Sequence, residues 1–272
     1  MPELPEVETS RLGILPHIQH KMFKQVIIRQ SQLRWPVPDC LTNLLPGLRL
    51  EDVKRRGKYL LFITKQGCLI LHLGMSGNLR ISSGIQTIGK HDHIDFVFAD
   101  DTVLRFNDQR KFGAVLWTSE PLEQHALLAN LGPEPLSAAF NSDYLFKCAA
   151  NRSLPVKSLL MDSHIVVGVG NIYANEALFT AGILPTRPSG AIGFEEFIKL
   201  AASIKTVLQQ AIEKGGTTLR DFTNAQGKPG YFQQSLQVYG RAGQPCLICG
   251  QAAISLLKIS QRASYFCPHC QT

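Results

Sequence analysis

The spacing of apolar and polar positions divides the chain into a strand-rich part and a helical part. Apolar residues at helical spacing over residues 4–16 predict a first helix. From about residue 23 to residue 117 the pattern changes to short apolar runs, which turn-prone segments such as ADD and SSG separate. These runs are QVIIR, YLLFIT, LILHL, IDFVF, TVLRF and AVLWT. Several short strands at this spacing predict a sandwich or a barrel.

A linker and several helices are predicted beyond the strands. LGPEPLS contains two prolines and a glycine and predicts an interdomain linker. The segment SLLMDSHIVVGVGNIYANEALFTAGI predicts a helix, a tight turn and a second helix with Asn171 as its N-cap. FEEFIKLAASIKTVLQQAIEKGG predicts a longer helix that ends at Gly215. Its apolar face is expected to hold Phe194, Phe197, Ile204, Leu208 and Ile212.

The composition favours a polyanionic partner. The 272 residues carry a net charge of +7, and the pI is about 9.1. The charge is uneven, because after Asp221 the sequence contains cations but no acidic residue. The net charge favours a polyanionic partner over an acidic small molecule, and the asymmetry favours nucleic acid over simple solubility as the reason for the charge. No apolar run is long enough to predict a membrane span, and the acidic N-terminus lacks the features of a secretory signal, so we expect a cytoplasmic location.

Four of the seven cysteines have the spacing of a zinc site. PCLICG and FCPHCQ each contain a C-x2-C pair, and seventeen residues separate the two pairs. Four thiolates around one tetrahedral ion leave no open position for water. We therefore expect one structural Zn²⁺ rather than disulfides, which a reducing compartment disfavours. The expected ligands are Cys246, Cys249, Cys267 and Cys270.

Two features of the basic half of the chain are suited to binding phosphate. In GVGN two glycines allow a tight turn before a helix start, whose N–H groups bind anions. Arg262 lies at an expected hairpin tip between the cysteine pairs, where a guanidinium can hold a phosphate by two hydrogen bonds. A plain helix–turn–helix packing unit is the simpler interpretation of GVGN taken alone. Together the two features favour duplex nucleic acid.

A possible DNA wedge lies in the strand-rich part. DQRKFG places Arg110 and Phe112 two positions apart, and hence on one side of a strand or its turn. An arginine and an aromatic ring presented together are suited to insertion into a base stack, although a core phenylalanine is the simpler alternative. Met75, in the glycine-flanked turn of HLGMSG, is either a core residue or a second wedge. KHDH offers too few ligands for a metal, so we interpret His91 as a phosphate contact.

The first residues, MPELPEVETS, gain a chemical interpretation from this wedge. A protein that inserts a wedge into DNA flips a nucleotide out of the stack to act on it. Once Met1 is removed, Pro2 carries a free secondary amine that can attack the sugar C1′ as a damaged base leaves. Glu3 is then the general acid, Glu6 orients the site, and Lys58 is a cation or proton donor during elimination. A frayed chain end with two unrelated carboxylates is the simpler alternative.

The motifs, taken together, resemble those of bacterial formamidopyrimidine-DNA glycosylases. They occur in the family's order and cover nearly the whole chain: MPELPEVET, RRGKYL, HLGMSG, KHDH, DQRKFG, LGPEPL, GVGNIYANE, GGTTLRDF, LQVYGR and the four-cysteine module. The resemblance implies a bifunctional glycosylase and abasic-site lyase of base-excision repair. Its implied substrates are oxidised purines in duplex DNA, chiefly 8-oxoguanine opposite cytosine and ring-opened formamidopyrimidines.

The resemblance also implies an α+β multidomain fold and a monomer. The fold comprises an N-terminal β-sandwich with an N-terminal helix, a helix-two-turn-helix domain and a four-cysteine zinc-finger β-hairpin. The implied bounds are residues 1–130 for the catalytic domain, 131–140 for the linker, 141–235 for the helical domain with a lesion-capping loop at about 217–231, and 236–272 for the zinc finger.

Individual roles follow from the same resemblance. Pro2 is implied as the Schiff-base nucleophile, Glu3 as the proton donor and Lys58 as a donor in β-elimination. Arg262 matches the residue that binds phosphate and assists δ-elimination. The residues that match the set filling the void left by the flipped base are Met75, Arg110 and Phe112. The implied DNA contacts are His91, Arg110, Arg152, Lys157, Asn171 and Tyr239.

Two other functions stay open at this point. An endonuclease VIII-like glycosylase shares the PE start and the zinc module but prefers oxidised pyrimidines. The set of Met75, Arg110 and Phe112 favours the purine-directed enzyme over it. A non-catalytic zinc DNA-binding protein would use the same wedge only to sense distorted DNA.

Overall fold

The structure is a computed structural model that describes residues 2–217 and 232–272. Of the predicted lesion-capping loop only Thr217 belongs to these residues, and 218–231 lie outside them. Among the helices of the described ranges, none is both long enough and apolar enough to cross a lipid bilayer.

The chain forms two compact units, and each is assembled from two separate stretches of sequence. The first unit consists of Met1–Ala129 and Lys214–Gln233, and the second of Asn130–Glu213 and Gln234–Thr272. The chain therefore enters the second unit once, returns to the first for about twenty residues, and then enters the second unit again.

Helix α1, Leu4–Ile18, begins the first unit and extends slightly beyond its predicted end. Pro5 lies in its first turn, where a missing N–H group removes no helical hydrogen bond. Val7, Ile14 and Ile18 are fully buried along one face. Packing of this face holds the N-terminal residues on a rigid element.

Two four-stranded antiparallel sheets make up most of the described part of the first unit. Their strands are β1 (Phe23–Ile28), β2 (Asp52–Arg56), β3 (Tyr59–Thr64), β4 (Gly67–His72), β5 (Asn78–Ser83), β6 (Asp92–Phe98), β7 (Thr102–Asn107) and β8 (Ala114–Thr118), and a short helix, α2, spans Leu41–Leu44. One sheet has the order β1-β6-β7-β5 and the other β2-β3-β4-β8. The sequence pattern missed two of the edge strands, β2 and β5.

The two sheets and α1 share one hydrophobic core. Phe96 and Phe106 enter it from one sheet, Phe62 and Leu71 from the other, and Ile14 from α1, all without measurable exposure. Large apolar side chains from both inner faces fill the space between the layers. The predicted N-terminal β-sandwich with its N-terminal helix is therefore confirmed.

The described part of the second unit contains four longer helices. They are α3 (Ser142–Ala149), α4 (Val156–Met161), α5 (Asn171–Ala181) and α6 (Phe194–Glu213). Helices α4 and α5 with their tight turns form the predicted helix-two-turn-helix, whereas α3 was not predicted. On α6 the prediction was partly wrong: Phe194 is 38% exposed and contacts Phe146 at the surface, while Leu200 and Val207 lie inside.

A zinc-finger hairpin completes the second unit. Its strands are β9 (Ser255–Ile259) and β10 (Arg262–Phe266). Ser260 and Gln261 join them with φ angles of 47° and 62°, the left-handed conformation of a type I′ turn. The base of the hairpin packs on Phe179 of α5 through a small apolar cluster.

Candidate functional site

Glu6 organises the start of α1. Its Oε2 accepts the backbone N–H of Glu3 at 2.8 Å, which closes the first helical turn. Its Oε1 accepts the N–H of Thr217 at 2.8 Å. A Cβ at Gly216 would lie only 3.0 Å from the same oxygen, so glycine suits this close approach. The buried Glu6 carboxylate thus joins the start of α1 to the segment that follows α6.

Pro2 and Glu3 precede α1, and both are buried. Glu3 is 3% exposed and is the extended N-cap residue of the helix. A carboxyl group in this position is placed to exchange a proton beside Pro2. Lys58, half-buried, lies in the turn between β2 and β3 after Gly57, whose φ is 56°. The predicted catalytic residues of the first unit therefore come from the start of α1 and one adjacent hairpin.

An ion-pair network that the sequence pattern did not reveal joins α1 to that hairpin. Glu8 accepts hydrogen bonds from Arg11 at 2.7 Å and from Arg55 at 2.9 Å. The Arg55 Nη1 also donates to the carbonyl of Gly57 at 3.2 Å, one peptide before Lys58. Burial opposes the charge of Glu8, but the hydrogen bonds and charges of Arg11 and Arg55 hold its pKa below the ordinary value.

We expect Glu8→Gln to destabilise the first unit at pH 7 by about 1–2 kcal/mol, because it removes charged hydrogen bonds at a partly exposed site. The lowered pKa means that the Glu8 charge stabilises the fold above the ordinary value of 4.5. That contribution is lost as pH falls through the lower, folded value, so the variant and the parent should converge in acid. Urea unfolding followed by the fluorescence of Trp35 and Trp117, both in this unit, measures the difference.

The control is Glu120→Gln, which changes an exposed carboxylate of the same unit and should alter stability little at any pH. A loss for Glu8→Gln that is as large at pH 3 as at pH 7 would contradict the role of the ionised carboxylate.

The predicted wedge residues Arg110 and Phe112 lie together on the surface of the first unit. The Arg110 Cζ is 5.2 Å from the centroid of the Phe112 ring, which is 47% exposed. Lys111 between them has a φ of 57°, so the backbone turns and both side chains reach one side. An exposed ring paired with a guanidinium is suited to stacking with bases.

The turn that carries Met75 packs on the turn that carries Phe112. A Cβ at Gly74 would lie 2.3 Å from the carbonyl carbon of Phe112, so only glycine fits there. The Ser76 hydroxyl donates to Asp108 Oδ1 at 2.5 Å, and the other Asp108 oxygen accepts the N–H that follows Phe112 at 2.8 Å. The buried Asp108 carboxylate therefore connects the two turns, and the three predicted wedge residues share one region.

The KHDH segment lies at the start of β6 in the same unit. His91 is half-buried in the preceding turn. Asp92 accepts hydrogen bonds from Arg105 and Asn107, and the His93 Nε2 is 2.7 Å from the carbonyl of Asp108. Asp92 and His93 thus take part in the hydrogen bonding of the sandwich.

The four cysteines predicted as zinc ligands converge in the second unit. Their Sγ atoms all lie within 4.8 Å of one another. The sulfurs of Cys246 and Cys270 are 3.8 Å apart, and those of Cys249 and Cys267 are 3.7 Å apart. A tetrahedron with Zn–S bonds of about 2.3 Å has edges of about 3.8 Å. The cluster therefore fits one structural Zn²⁺ held by four thiolates.

Arg262 is exposed at the first position of β10, next to the hairpin tip. Its side chain lines a cavity of about 200 Å³ together with residues of α4 and the hairpin turn. The geometry leaves the guanidinium accessible for a phosphate group.

Lys157 and Asn171 contact the hairpin. Lys157 is 1% exposed, and its Nζ donates to the carbonyl of Ala263 at 2.8 Å and to the hydroxyl of Ser264 at 2.7 Å. The Asn171 Nδ2 donates to the same carbonyl at 3.0 Å. The N-cap of α5 is Gly170, so the expectation that Asn171 caps the helix was wrong, because its amide bonds the hairpin instead. Both residues hold the element that carries Arg262, and their DNA contacts stay predictions.

Glu176 on α5 positions the segment that enters the zinc module. Its carboxylate accepts the N–H groups of residues 237–239 at 2.8–3.0 Å. Burial raises its pKa, against the effect of these three donors. The ring of Tyr239 lies 5.0 Å from that of Tyr265 on β10. Arg152 is exposed in the loop between α3 and α4.

Sequence reasoning missed the carboxylates that support these side chains: Glu8, Asp108 and Glu176. One signal was available for Glu176, since an acidic residue inside the apolar helix NIYANEALF needs a buried partner. Glu8 and Asp108 lie in polar stretches, where an isolated carboxylate gives no such signal.

Three family models match the chain in succession. "Formamidopyrimidine-DNA glycosylase N-terminal domain" matches residues 1–115, and "Formamidopyrimidine-DNA glycosylase H2TH domain" matches residues 131–223. "Zinc finger found in FPG and IleRS" matches residues 243–272.

Relatives and solved structures match over the full length. The chain is 56% identical over 271 residues to the formamidopyrimidine-DNA glycosylase of Methylococcus capsulatus, with 100% of each chain covered. It resembles a variant of the Lactococcus lactis enzyme bound to Fapy-dG-containing DNA with a TM-score of 0.91, 33% identity and 100% of both chains covered. It resembles the Lactococcus lactis enzyme in complex with abasic-site DNA with a TM-score of 0.90, 33% identity and 99% of both chains covered.

Proposed function

The chain belongs to the formamidopyrimidine-DNA glycosylase family, and from that membership we propose that it excises oxidised purines from duplex DNA through the amine of Pro2. It is a DNA glycosylase and abasic-site lyase of base-excision repair with one structural zinc ion. The proposal concerns which lesion it prefers and which residues act. The observation that carries it is the burial of Pro2 and Glu3 at an N-terminus that the Glu6 carboxylate holds in place.

The proposed chemistry begins after Met1 is removed. The secondary amine of Pro2 attacks the sugar C1′ as the glycosidic bond breaks, and the base leaves with a proton. The amine then loses its proton, the C1′–O4′ bond breaks and the sugar ring opens, with Glu3 as the proton donor to the departing base or to O4′. The resulting cationic iminium acidifies C2′, so loss of a C2′ proton expels the 3′ phosphate. A second elimination expels the 5′ phosphate. Lys58 is the proposed donor in the first elimination, and Arg262 assists the second.

Base eversion is assigned to the exposed turns of the sandwich. Phe112 enters the stack, Arg110 hydrogen-bonds the orphaned base, and Met75 occupies the space of the flipped nucleotide. The contact between Arg110 and Phe112 and the shared support of both turns by Asp108 favour a joint role.

Backbone binding is assigned mainly to the second unit, through Arg152, Lys157, Asn171, Tyr239 and Arg262, with His91 and Arg110 contributing from the first. The bacterial relatives favour a cytoplasmic site of action on the chromosome. Residues 217–231, proposed to cover the everted base, are described only at Thr217.

Borohydride trapping tests the proposal most directly. The processed protein is mixed with duplexes that contain 8-oxoguanine opposite cytosine, thymine glycol or unmodified guanine, and sodium borohydride reduces the iminium to a stable adduct. We expect the fastest trapping and strand cleavage with 8-oxoguanine and none with guanine. Faster cleavage at thymine glycol would identify an oxidised-pyrimidine enzyme, and the absence of any adduct would exclude the Schiff-base mechanism.

We expect Arg262→Ala to weaken DNA binding by a similar factor on all sequences and to reduce the slope of log K against log [salt] by about one. The reason is the loss of one phosphate contact. Fluorescence anisotropy across a salt series measures both quantities. Lys199→Ala removes a charge from an exposed position of α6 in the same unit and serves as the control. A salt slope unchanged by Arg262→Ala would remove this residue from the phosphate site.

A further inference from the structure

His72 occupies a position that links the Lys58 hairpin to the Met75 turn. It is the last residue of β4 and lies opposite Tyr59 of β3, with the two ring centroids 4.9 Å apart. Its Nδ1 accepts the backbone N–H of Gly74 at 2.9 Å. The proposed chemistry does not use this side chain, although it lies only two residues before Gly74 and is paired with the residue after Lys58.

The Gly74 conformation makes this hydrogen bond important. Gly74 has a φ of 63°, a left-handed conformation that favours glycine, and its N–H points to the His72 ring. The residue is buried against the backbone of Phe112 and Gly113, so water has little access to the N–H group. Without the His72 acceptor, the buried N–H of Gly74 would lose its hydrogen-bond partner. An unsatisfied buried donor raises the free energy of the turn, so a rearranged turn would become more favourable.

We propose that His72 is a positioning residue whose Nδ1, by accepting the Gly74 N–H, locks the turn that presents Met75 beside Phe112. Its contribution to base excision rests on the void-filling role proposed above for Met75. The locking of the turn itself is a property of the free protein and can be measured without DNA.

The chemical state of His72 suits this role. Burial, with the nearby charges of Lys58 and Arg34, lowers the pKa of the imidazole to about 4. The ring is therefore neutral at physiological pH. Because Nδ1 accepts, the proton is on Nε2, and a protonated ring would lose the acceptor that Gly74 needs.

Two nearly isosteric substitutions isolate the acceptor. His72→Asn keeps an acceptor, because the amide Oδ1 occupies nearly the position of the imidazole Nδ1. The leucine of His72→Leu has a volume similar to that of asparagine but accepts no hydrogen bond. Both variants lack the imidazole ring, so the comparison isolates the acceptor. His72→Phe keeps a ring without the acceptor and provides a second comparison if the leucine variant folds poorly.

The first measurement is NMR of ¹³C-methyl-methionine in the DNA-free protein, whose sequence contains only four methionines. We expect the Met75 methyl resonance to keep its position and width in His72→Asn and to shift or broaden in His72→Leu and His72→Phe. The Met22 resonance, from the residue just before β1, is the internal control. Equal Met75 spectra in the asparagine and leucine variants would overturn the inference, whatever the enzyme's substrate.

The second measurement is a double-mutant cycle on 8-oxoguanine excision. We expect His72→Leu to lower kcat/KM about tenfold, His72→Asn to restore most of it, and His72→Leu to add little to Met75→Ala. Cleavage of a single-stranded abasic site should be nearly unchanged, because single-stranded DNA has no duplex stack in which Met75 would fill the space of a flipped nucleotide. Additive effects would overturn the inference. A Met75→Ala variant with full activity would instead overturn the proposed role of Met75, while the NMR result would still decide the role of His72.

Discussion

Protein that retains Met1 is expected to bind abasic-site DNA normally and to leave it uncut. With Met1 attached, the Pro2 nitrogen belongs to a tertiary amide, whose lone pair is delocalised into the carbonyl. It cannot attack C1′, whereas the secondary amine of the processed protein can. Loss of a covalent nucleophile lowers rates by at least about a thousandfold. Both forms can be prepared from one gene by expression with and without inhibition of methionine removal, and their masses identify them.

The comparison has an internal control in DNA affinity. The two forms should bind the abasic duplex with similar Kd, since the proposed phosphate contacts are unchanged, and should differ in strand cleavage and borohydride trapping. Glu6→Gln in the processed protein tests whether the Glu6 carboxylate supports the Pro2 end of the chain. The substitution replaces a charged acceptor of the Glu3 and Thr217 N–H groups by a neutral, weaker one. Cleavage by the Met1-retaining form at the rate of the processed form would show that another amine is the nucleophile.

Removal of the zinc ion is expected to lower affinity for duplex DNA by at least about a hundredfold while the first unit stays folded. Structural zinc contributes about 10–16 kcal/mol of folding free energy in small modules. Without it four thiols lose their common centre, and the hairpin that carries Arg262 loses its base on Phe179. Fluorescence of Trp35 and Trp117 reports on the first unit alone, because both tryptophans of the sequence lie there.

Matched cysteine substitutions separate the zinc site from thiol chemistry in general. Cys249→Ser removes a ligand and should reproduce the effect of chelation. Cys40→Ser changes an exposed cysteine of the first unit and should change neither zinc content nor affinity. Added Zn²⁺ should restore the chelated parent but not the Cys249 variant. Full DNA binding by protein shown to be zinc-free would contradict a role for the ion in building the interface.

The sequence predicted the elements with the clearest periodicity and missed those whose side chains are mostly polar. Helix α1 and the inner strands have apolar residues at one regular spacing, and they lie where expected. β2 and β5, DVKRR and NLRISS, are edge strands that bury few side chains, so their pattern resembles a loop. Their strand state is determined by pairing with β3 and β7, and this pairing is not visible in the spacing of their own side chains.

The site was predictable to the extent that its chemistry is local. The zinc ligands follow from spacing alone, and the proximity of Arg110 and Phe112 from a separation of two residues. The supports of these residues come from elsewhere in the chain. Arg55 reaches Glu8, and Lys157 reaches Ala263, across sequence separations of 47 and 106 residues. Such pairings depend on the tertiary fold and are not visible in the local sequence. A lysine is expected at the surface, but Lys157 is buried because its ammonium group binds the hairpin.

The return of Lys214–Gln233 to the first unit has a consequence for how the protein can be divided. A single cut after Ala129 separates the chain into two fragments. Residues 214–233 then stay with the C-terminal fragment, although they belong to the first unit. The N-terminal fragment would then lack the backbone N–H of Thr217 that the Glu6 carboxylate accepts. Gene splitting at the apparent linker is therefore expected to yield an N-terminal half with a loosened nucleophile end. Appending residues 214–233 to the N-terminal fragment would supply the missing Thr217 N–H.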